Sequence, residues 1–179
     1  MKLDTLNNLP RGAFVDALGS VFEHSPWVVE TAARDRPFVN CKALQAACES
    51  ALYGAGAAAQ GALIRAHPDL AAKLDSLSEL TEFSRREQDR AGFLRLDADV
   101  LASLRTHLRE YRERFGHPFI LCVTEHPAGD VLPILKVRKR ARAEAEHLAC
   151  LFQIARIGWN RLCGLVEEHA NQARICLGR

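Results

Sequence analysis

Apolar residues recur along most of this chain at intervals of three and four, the spacing that lines one face of an α-helix. Ala, Leu, Arg and Glu are abundant, and β-branched runs are scarce. The pattern predicts a first helix over Pro10 to Phe22. Ser25-Pro26, a cap followed by a first-turn proline, opens a second that runs through about Arg34. A third covers Cys41 to Tyr53 and ends near Gly54 and Gly56. A fourth covers Ala57 to Ala66 and stops at His67, because the residue before a proline is pushed out of the α region. A fifth spans Thr81 to about Ala91 and closes near Gly92. Ala98 to Arg114 is a long amphipathic helix that Gly116 ends, and Phe119 to Thr124 is the one β-like run. The last helix is expected from about Val131 to His169, with a kink near Gly158. The expected architecture is all-α: a single domain over residues 1–179, a multi-helix bundle with one short extended segment near 119–124.

Composition narrows the function classes. Hydrophobic residues make up 48% and charged residues 26%, as in an ordinary globular chain, and 179 residues are enough to bury a core. The formal charge of +2 gives no strong field for nucleic acid. The basic run Lys136 to Arg142 (KVRKRAR) leads into Glu144 and Glu146, so it reads as a solvated helix face with i,i+4 pairing. No run approaches the roughly 18 apolar residues of a membrane span. Residues Met1 to Arg11 lack the apolar stretch of a secretory leader. The six cysteines (Cys41, Cys48, Cys122, Cys150, Cys163, Cys176) form no C-x-x-C pair, and most sit among apolar neighbours. They read as small buried hydrophobes in a reducing, cytoplasmic setting.

Polar islands interrupt the helical pattern. In HPDLA, His67 is fixed between a helix and Pro68, and Asp69 can cap the next short turn. A rigid junction can aim an imidazole, which titrates near neutral pH and suits proton transfer. A solvated helix-end histidine is the bland alternative. In SRREQ, Ser84, Glu87 and Gln88 lie at i, i+3 and i+4, on one helix face. The same S-x-x-E spacing is also a capping box, which leaves Gln88 unexplained; both readings stand. In FGHPFI, Gly116 ends a helix and Pro118 turns the chain away from one. The following Phe119, Ile120, Leu121, Cys122 and Val123 then offer extended backbone whose N–H groups are uncommitted and can bind a carboxylate or a urea-like carbonyl. The apolar members of this run also suit a core connector. His117 lies in the same turn as a weaker candidate. Arg161 stands beside the apolar stripe Ile154, Ile157, Leu162 and Leu165, where its guanidinium can hold a planar polar substrate or snorkel to solvent. A zinc site from His67, His117 and His126 lacks helix-ligand spacing, so no metal is expected.

Taken in order, HPDLA, S-x-x-E-Q followed by Ala-Gly, F-G-x-P-F-I and I-x-x-I-x-x-x-R-L resemble the motifs of the 2-oxo-4-hydroxy-4-carboxy-5-ureidoimidazoline (OHCU) decarboxylase family, from about Phe14 to Val166. The resemblance implies an all-helical fold and a cofactor-free decarboxylation of OHCU, in uric acid degradation, that yields (S)-allantoin. It implies His67 as the catalytic histidine and Glu87 as its acidic partner. Ser84 and Gln88 would be substrate hydrogen-bonders and Arg161 would hold the substrate. Pro68 and the backbone of Phe119 to Val123 would complete the pocket. His117 departs from the aromatic residue common in the family, and Gly158-Trp159 from a more basic, less bulky pair. The expected partner is the small-molecule substrate alone, with neither nucleic acid nor membrane, and the long amphipathic helices suit a homodimer. A second reading is a non-enzymatic helical adaptor or nucleic-acid-binding regulator that uses the 136–142 basic helix. It predicts salt-sensitive binding and leaves the four ordered islands unexplained. A third, a metal hydrolase built on the histidines, predicts bound zinc.

Overall fold

The helices begin and end largely where short-range chemistry dictates. Asn40 is extended and its side chain accepts the Ala43 N–H at 2.8 Å, which caps the helix from Cys41. Gly116 closes another in the left-handed conformation at φ 73°, a region L-residues with a side chain rarely enter. The computed structural model describes residues 1–72, 74 and 92–167, with only the backbone of Leu94. Its helices are α1 (Leu3–Asn7), α2 (Arg11–Leu18), α3 (Trp27–Ala32), α4 (Cys41–Gly54), α5 (Ala57–Ala66), α6 (Ala98–Phe115), α7 (Ala128–Arg138) and α8 (Ala143–Leu165). Single 3-10 turns cover Ala33–Asp35, Phe93–Arg95 and Val123–Glu125. Among the described residues there is no strand, only an isolated bridge between Lys2 and Glu167. The all-α class is as expected. The predicted Thr81 to Ala91 helix lies outside the described residues.

Two compact units divide the chain. The first holds Met1–Leu63 and the chain from Ala155 on; the second holds Ile64–Ile154, so the division falls within α5 and within α8. In the first, α3 packs on α4, and Leu6, Phe14, Leu18, Phe22, Val28, Leu44, Leu52 and Leu162 are fully buried. Helix α1 has too few residues to show a period. It is set by long-range pairing instead: the Met1 ammonium donates to the Leu165 carbonyl at 2.7 Å, and the Glu167 N–H donates to Met1 O at 2.8 Å. In the second, α6 presents Leu104, Leu108 and Tyr111, spaced i, i+4, i+7, to a core shared with Leu70, Leu74, Phe93, Phe119, Leu121, Val131 and Leu135.

Several expectations need correction. The predicted first helix, over Pro10 to Phe22, stops at Leu18. The carbonyls of Ser20 and Val21 are instead taken by Arg161, at 3.4 and 2.8 Å. The long C-terminal helix is two helices, because the chain turns at 139–142, where N–H groups of Arg140 and Ala141 close tight bonds to Val137 O and Arg138 O. That turn carries no glycine or proline. An ion pair, Arg138 with Glu146, spans it, and Arg114 donates to the Ala141 carbonyl at 3.1 Å. Arg138 and Lys139 are therefore not part of a solvated face, although Lys136, Arg140 and Arg142 are exposed. Last, the extended segment ends at Cys122, and Val123 already belongs to a 3-10 turn. Helix α8 runs unbroken through Gly158. Glycine stands there because the buried Phe22 ring lies 2.7 Å from where a Cβ would be.

Candidate functional site

His67 follows the last turn of α5, with its N–H bonded to Ile64 O at 3.3 Å. The residue is half-buried, and its Nδ1 is shielded from solvent. Pro68 is exposed. Asp69 caps the next turn as expected: one carboxylate oxygen accepts the Ala71 N–H at 2.9 Å, and the other pairs with Arg112 of α6. The junction is thus held on both sides of the imidazole, by α5 and by the Asp69–Arg112 ion pair. Leu70, three residues after His67, is buried in the core that also holds Phe119 and Leu121. The HPDLA and FGHPFI islands therefore share one hydrophobic core. Ser84, Glu87 and Gln88 lie outside the described residues; Leu74 and Phe93, which bracket them in sequence, both belong to that core.

The segment Phe119 to Val123 was expected to offer uncommitted backbone. Part of it is committed. The Cys122 N–H donates to the Gln153 side-chain oxygen at 2.8 Å, and the Val123 N–H donates to Leu121 O at 2.9 Å in an inverse γ-turn, with Cys122 at φ −75° and ψ 79°. Among the described residues no acceptor faces the N–H of Phe119, Ile120 or Leu121. Their side chains are buried, so core packing and an available main-chain edge coexist. Cys122 is buried, with Sγ 3.4 Å from Thr124 Oγ1.

Behind this segment is a buried polar cluster that periodicity did not reveal. Glu146, 1% exposed, accepts from the Tyr111 hydroxyl at 2.5 Å and from Arg138 Nη2 at 2.5 Å and Nε at 3.2 Å. Arg138 also donates Nη1 to Ile120 O at 2.6 Å and lies over the Phe119 ring, 4.7 Å from its centroid. Tyr111 meets the same ring edge-on at 5.1 Å. Burial first, then the neighbouring Cys150 and Glu146, push the Tyr111 hydroxyl far above its ordinary value, so it stays protonated and donates to Glu146, with Cys150 Sγ 3.5 Å away. Burial likewise raises the Cys150 thiol to about 11 and the Cys48 thiol to about 12, which makes both inert. The one available sequence signal was Glu146, a carboxylate in register with the apolar Cys150 and Ile154.

His117 behaves as an aromatic ring: it stacks near Phe115 at 5.9 Å and meets Tyr111 edge-on at 5.6 Å. Its departure from an aromatic residue therefore keeps the ring contacts. Among the described residues no three His, Cys, Asp or Glu side chains are grouped to hold a metal.

Arg161 belongs to the first unit. Besides the two carbonyls of the 20–21 turn, it pairs with Glu23, which the sequence reading missed. A guanidinium carries five donors, so these three contacts leave capacity for a further acceptor. A groove of the same unit, lined by Thr31, Arg34, Asp35 and Ser50 among others, contains none of the expected site residues. No helix among the described residues is long and apolar enough to cross a membrane.

Comparison with known proteins adds an independent line. The family model "OHCU decarboxylase" matches residues 7–163, spanning parts of both units. The 2-oxo-4-hydroxy-4-carboxy-5-ureidoimidazoline decarboxylase of Mus musculus is 31% identical over 98% of this chain and 98% of its own length. A uric acid degradation bifunctional protein of Bacillus subtilis is 32% identical over 93% of this chain, which spans 33% of that protein. Among solved structures, an (S)-allantoin synthase superposes with a TM-score of 0.75 at 25% identity, covering 93% of this chain and 54% of the other.

Proposed function

Because the chain belongs to the OHCU decarboxylase family, we propose that it decarboxylates OHCU to (S)-allantoin in uric acid degradation, with His67 as the proton-transfer group. The observation that supports this most is the shared core of Leu70, Phe119 and Leu121, which brings the histidine junction and the extended segment into one packed unit.

The substrate suits a site made of side chains and backbone alone. One ring carbon carries both a carboxylate and a hydroxyl, next to a C=N bond. When the C–CO₂ bond breaks, its electron pair enters the ring and the C=N nitrogen takes up the charge and a proton. The hydroxyl then becomes a carbonyl by giving up its proton, and the former C=N carbon gains one. The substrate is its own electron sink, so no cofactor is invoked. The protein must hold the carboxylate out of the ring plane, take the hydroxyl proton and deliver a proton to one face.

In this reading His67 meets the hydroxyl and carboxylate and moves the proton. Glu87 orients the substrate and sets the imidazole's protonation. Ser84 and Gln88 hydrogen-bond the ureido and ring groups, and Pro68 forms a wall. The N–H groups of the Phe119 to Val123 stretch that remain available, those of Phe119, Ile120 and Leu121, receive a substrate oxygen; Cys122 and Val123 shape the turn. Arg161 holds a further oxygen. The proposal also takes a cytoplasmic setting, supported by the buried free thiols of Cys41, Cys48, Cys122 and Cys150, while Cys163 is exposed, contrary to expectation, and a homodimer, supported by the exposed Leu148 and Phe152 on α8.

The basic-helix adaptor is not favoured, because Arg138 and Lys139 of that run are engaged in ion pairs with Glu146 and Glu110. The test is the ultraviolet decay of freshly generated OHCU with and without the protein, followed by circular dichroism of the product. The reading expects faster decay and dextro-/laevo-imbalance of one sign; decay at the spontaneous rate to racemic allantoin would sink it.

A further inference from the structure

We infer that Gln153 and Arg138 are positioning residues for this reaction: they fix the Phe119–Val123 backbone at the setting its available N–H groups need to meet substrate. The inference deepens the function proposed above and rests on it.

From Phe119 to Cys122 the segment has neither helix nor sheet to hold it, since it leaves α6 after Gly116 and Pro118, reaches a 3-10 turn only at Val123, and has no strand partner among the described residues. An extended chain without a ladder is free to shift along its own axis. Two polar clamps stop this. Arg138 Nη1 grips Ile120 O at 2.6 Å, and Gln153 Oε1 grips Cys122 N–H at 2.8 Å. They act on residues either side of Leu121, whose own N–H is among those left available. Arg138 is itself immobilised, because the Glu146 carboxylate takes its Nη2 and Nε and is held in turn by the Tyr111 hydroxyl. The same guanidinium covers the Phe119 ring, so one cluster holds both main chain and side chain.

Packing alone does not call for this arrangement. Phe119, Ile120 and Leu121 are already buried among apolar neighbours. An arginine side chain only 12% exposed, paired with a carboxylate 1% exposed, carries a desolvation cost that apolar residues of similar size avoid. What the ion pair adds is direction: a fork of donors that fixes where one carbonyl sits.

The test compares the parent with Gln153→Leu, Gln153→Glu, Gln153→Met and Arg138→Lys in steady-state decay of fresh OHCU, chiral analysis of the allantoin, and urea unfolding. Gln153 is half-buried, and the methionine variant keeps the side-chain length, so a poorly folding leucine variant leaves a readable substitute. Because misplacement by about 1 Å can cost on the order of a hundredfold, Gln153→Leu and Gln153→Met are expected to lower kcat/KM about tenfold, mostly in kcat, and to erode the enantiomeric excess. Gln153→Glu still accepts the Cys122 N–H and is expected to stay within about threefold of the parent. Arg138→Lys, which loses the fork, is expected to lose about tenfold or more. Variants that unfold at lower urea yet match the parent's kcat and KM per folded molecule would show a structural role alone and overturn the inference. A parent that leaves OHCU decay unchanged removes the proposed function instead; an active parent with unaffected Gln153 variants removes only the positioning role.

Discussion

Replacing Glu146 with glutamine tests whether the buried cluster is held by charge. The carboxylate accepts the Tyr111 hydroxyl at 2.5 Å and both Nη2 and Nε of Arg138. Glutamine keeps one oxygen but turns an NH₂ donor toward the other Arg138 donor, and it leaves the guanidinium without a counter-charge. Breaking a buried ion pair on one side costs about 3–5 kcal/mol. Tyr111→Phe removes the hydroxyl's bond to the carboxylate and its weaker contact with Cys150 Sγ, and is expected to cost less, about 1.5–3 kcal/mol. The assay is equilibrium urea unfolding at neutral pH, followed by far-ultraviolet circular dichroism, with both variants and the parent fitted to a common slope. A Glu146→Gln loss below about 1 kcal/mol at unchanged slope would refute the charge argument, because an uncompensated buried guanidinium cannot be that cheap. A Tyr111→Phe loss equal to that of Glu146→Gln would refute the ranking, since it would place the stability in the phenol rather than the ion pair.

Two further outcomes follow from other parts of the chain. Hydrogen bonds first from Lys139 and then from His107 lower the Glu110 carboxyl to about 2. A depressed carboxylate stabilises above its unfolded value and loses that contribution as pH falls through its folded value, so the parent's advantage over Glu110→Gln should be full above about pH 4.5 and gone near pH 2, read by urea midpoints across that range. Gly158→Ala gains about 1 kcal/mol of helix propensity but drives a Cβ to 2.7 Å from the buried Phe22 ring. Overpacking of about 1–3 kcal/mol should outweigh the gain, and Phe22→Leu in the same background should recover part of the loss in thermal melts.

Helix ends governed by local chemistry were legible in the sequence. The Ala57–Ala66 helix stops where Pro68 requires, Gly116 closes α6, and Asp69 caps the turn after the histidine. Features set by distant partners were not. The turn at 139–142 has no breaker residue and depends on Arg138 meeting Glu146 eight residues on. The α2 end depends on Arg161, 140 and 141 residues away. Helix α1 depends on a pairing of the two ends of the described chain. For the site, the ordered motifs named His67 and the 119–123 segment, but not what braces them. Gln153 looks like an ordinary helix-surface residue until the fold shows that it accepts the Cys122 N–H, and the register of Glu146 does not reveal that it pairs with Arg138. Periodicity reports which side of a helix is wet; it does not report a single buried acceptor for a single N–H.

The central claim is that His67, held between α5 and the Asp69–Arg112 pair, moves the proton in decarboxylation. The most direct measurement is single-batch OHCU decay with parent, His67→Ala and His67→Asn, each checked for a parent-like circular dichroism spectrum of the protein, with the allantoin assayed for handedness. Loss of a proton-transfer group should cost about 10²–10⁴-fold in rate and leave the product close to racemic in both variants. A folded His67→Ala protein that forms (S)-allantoin at the parent's rate would contradict the account.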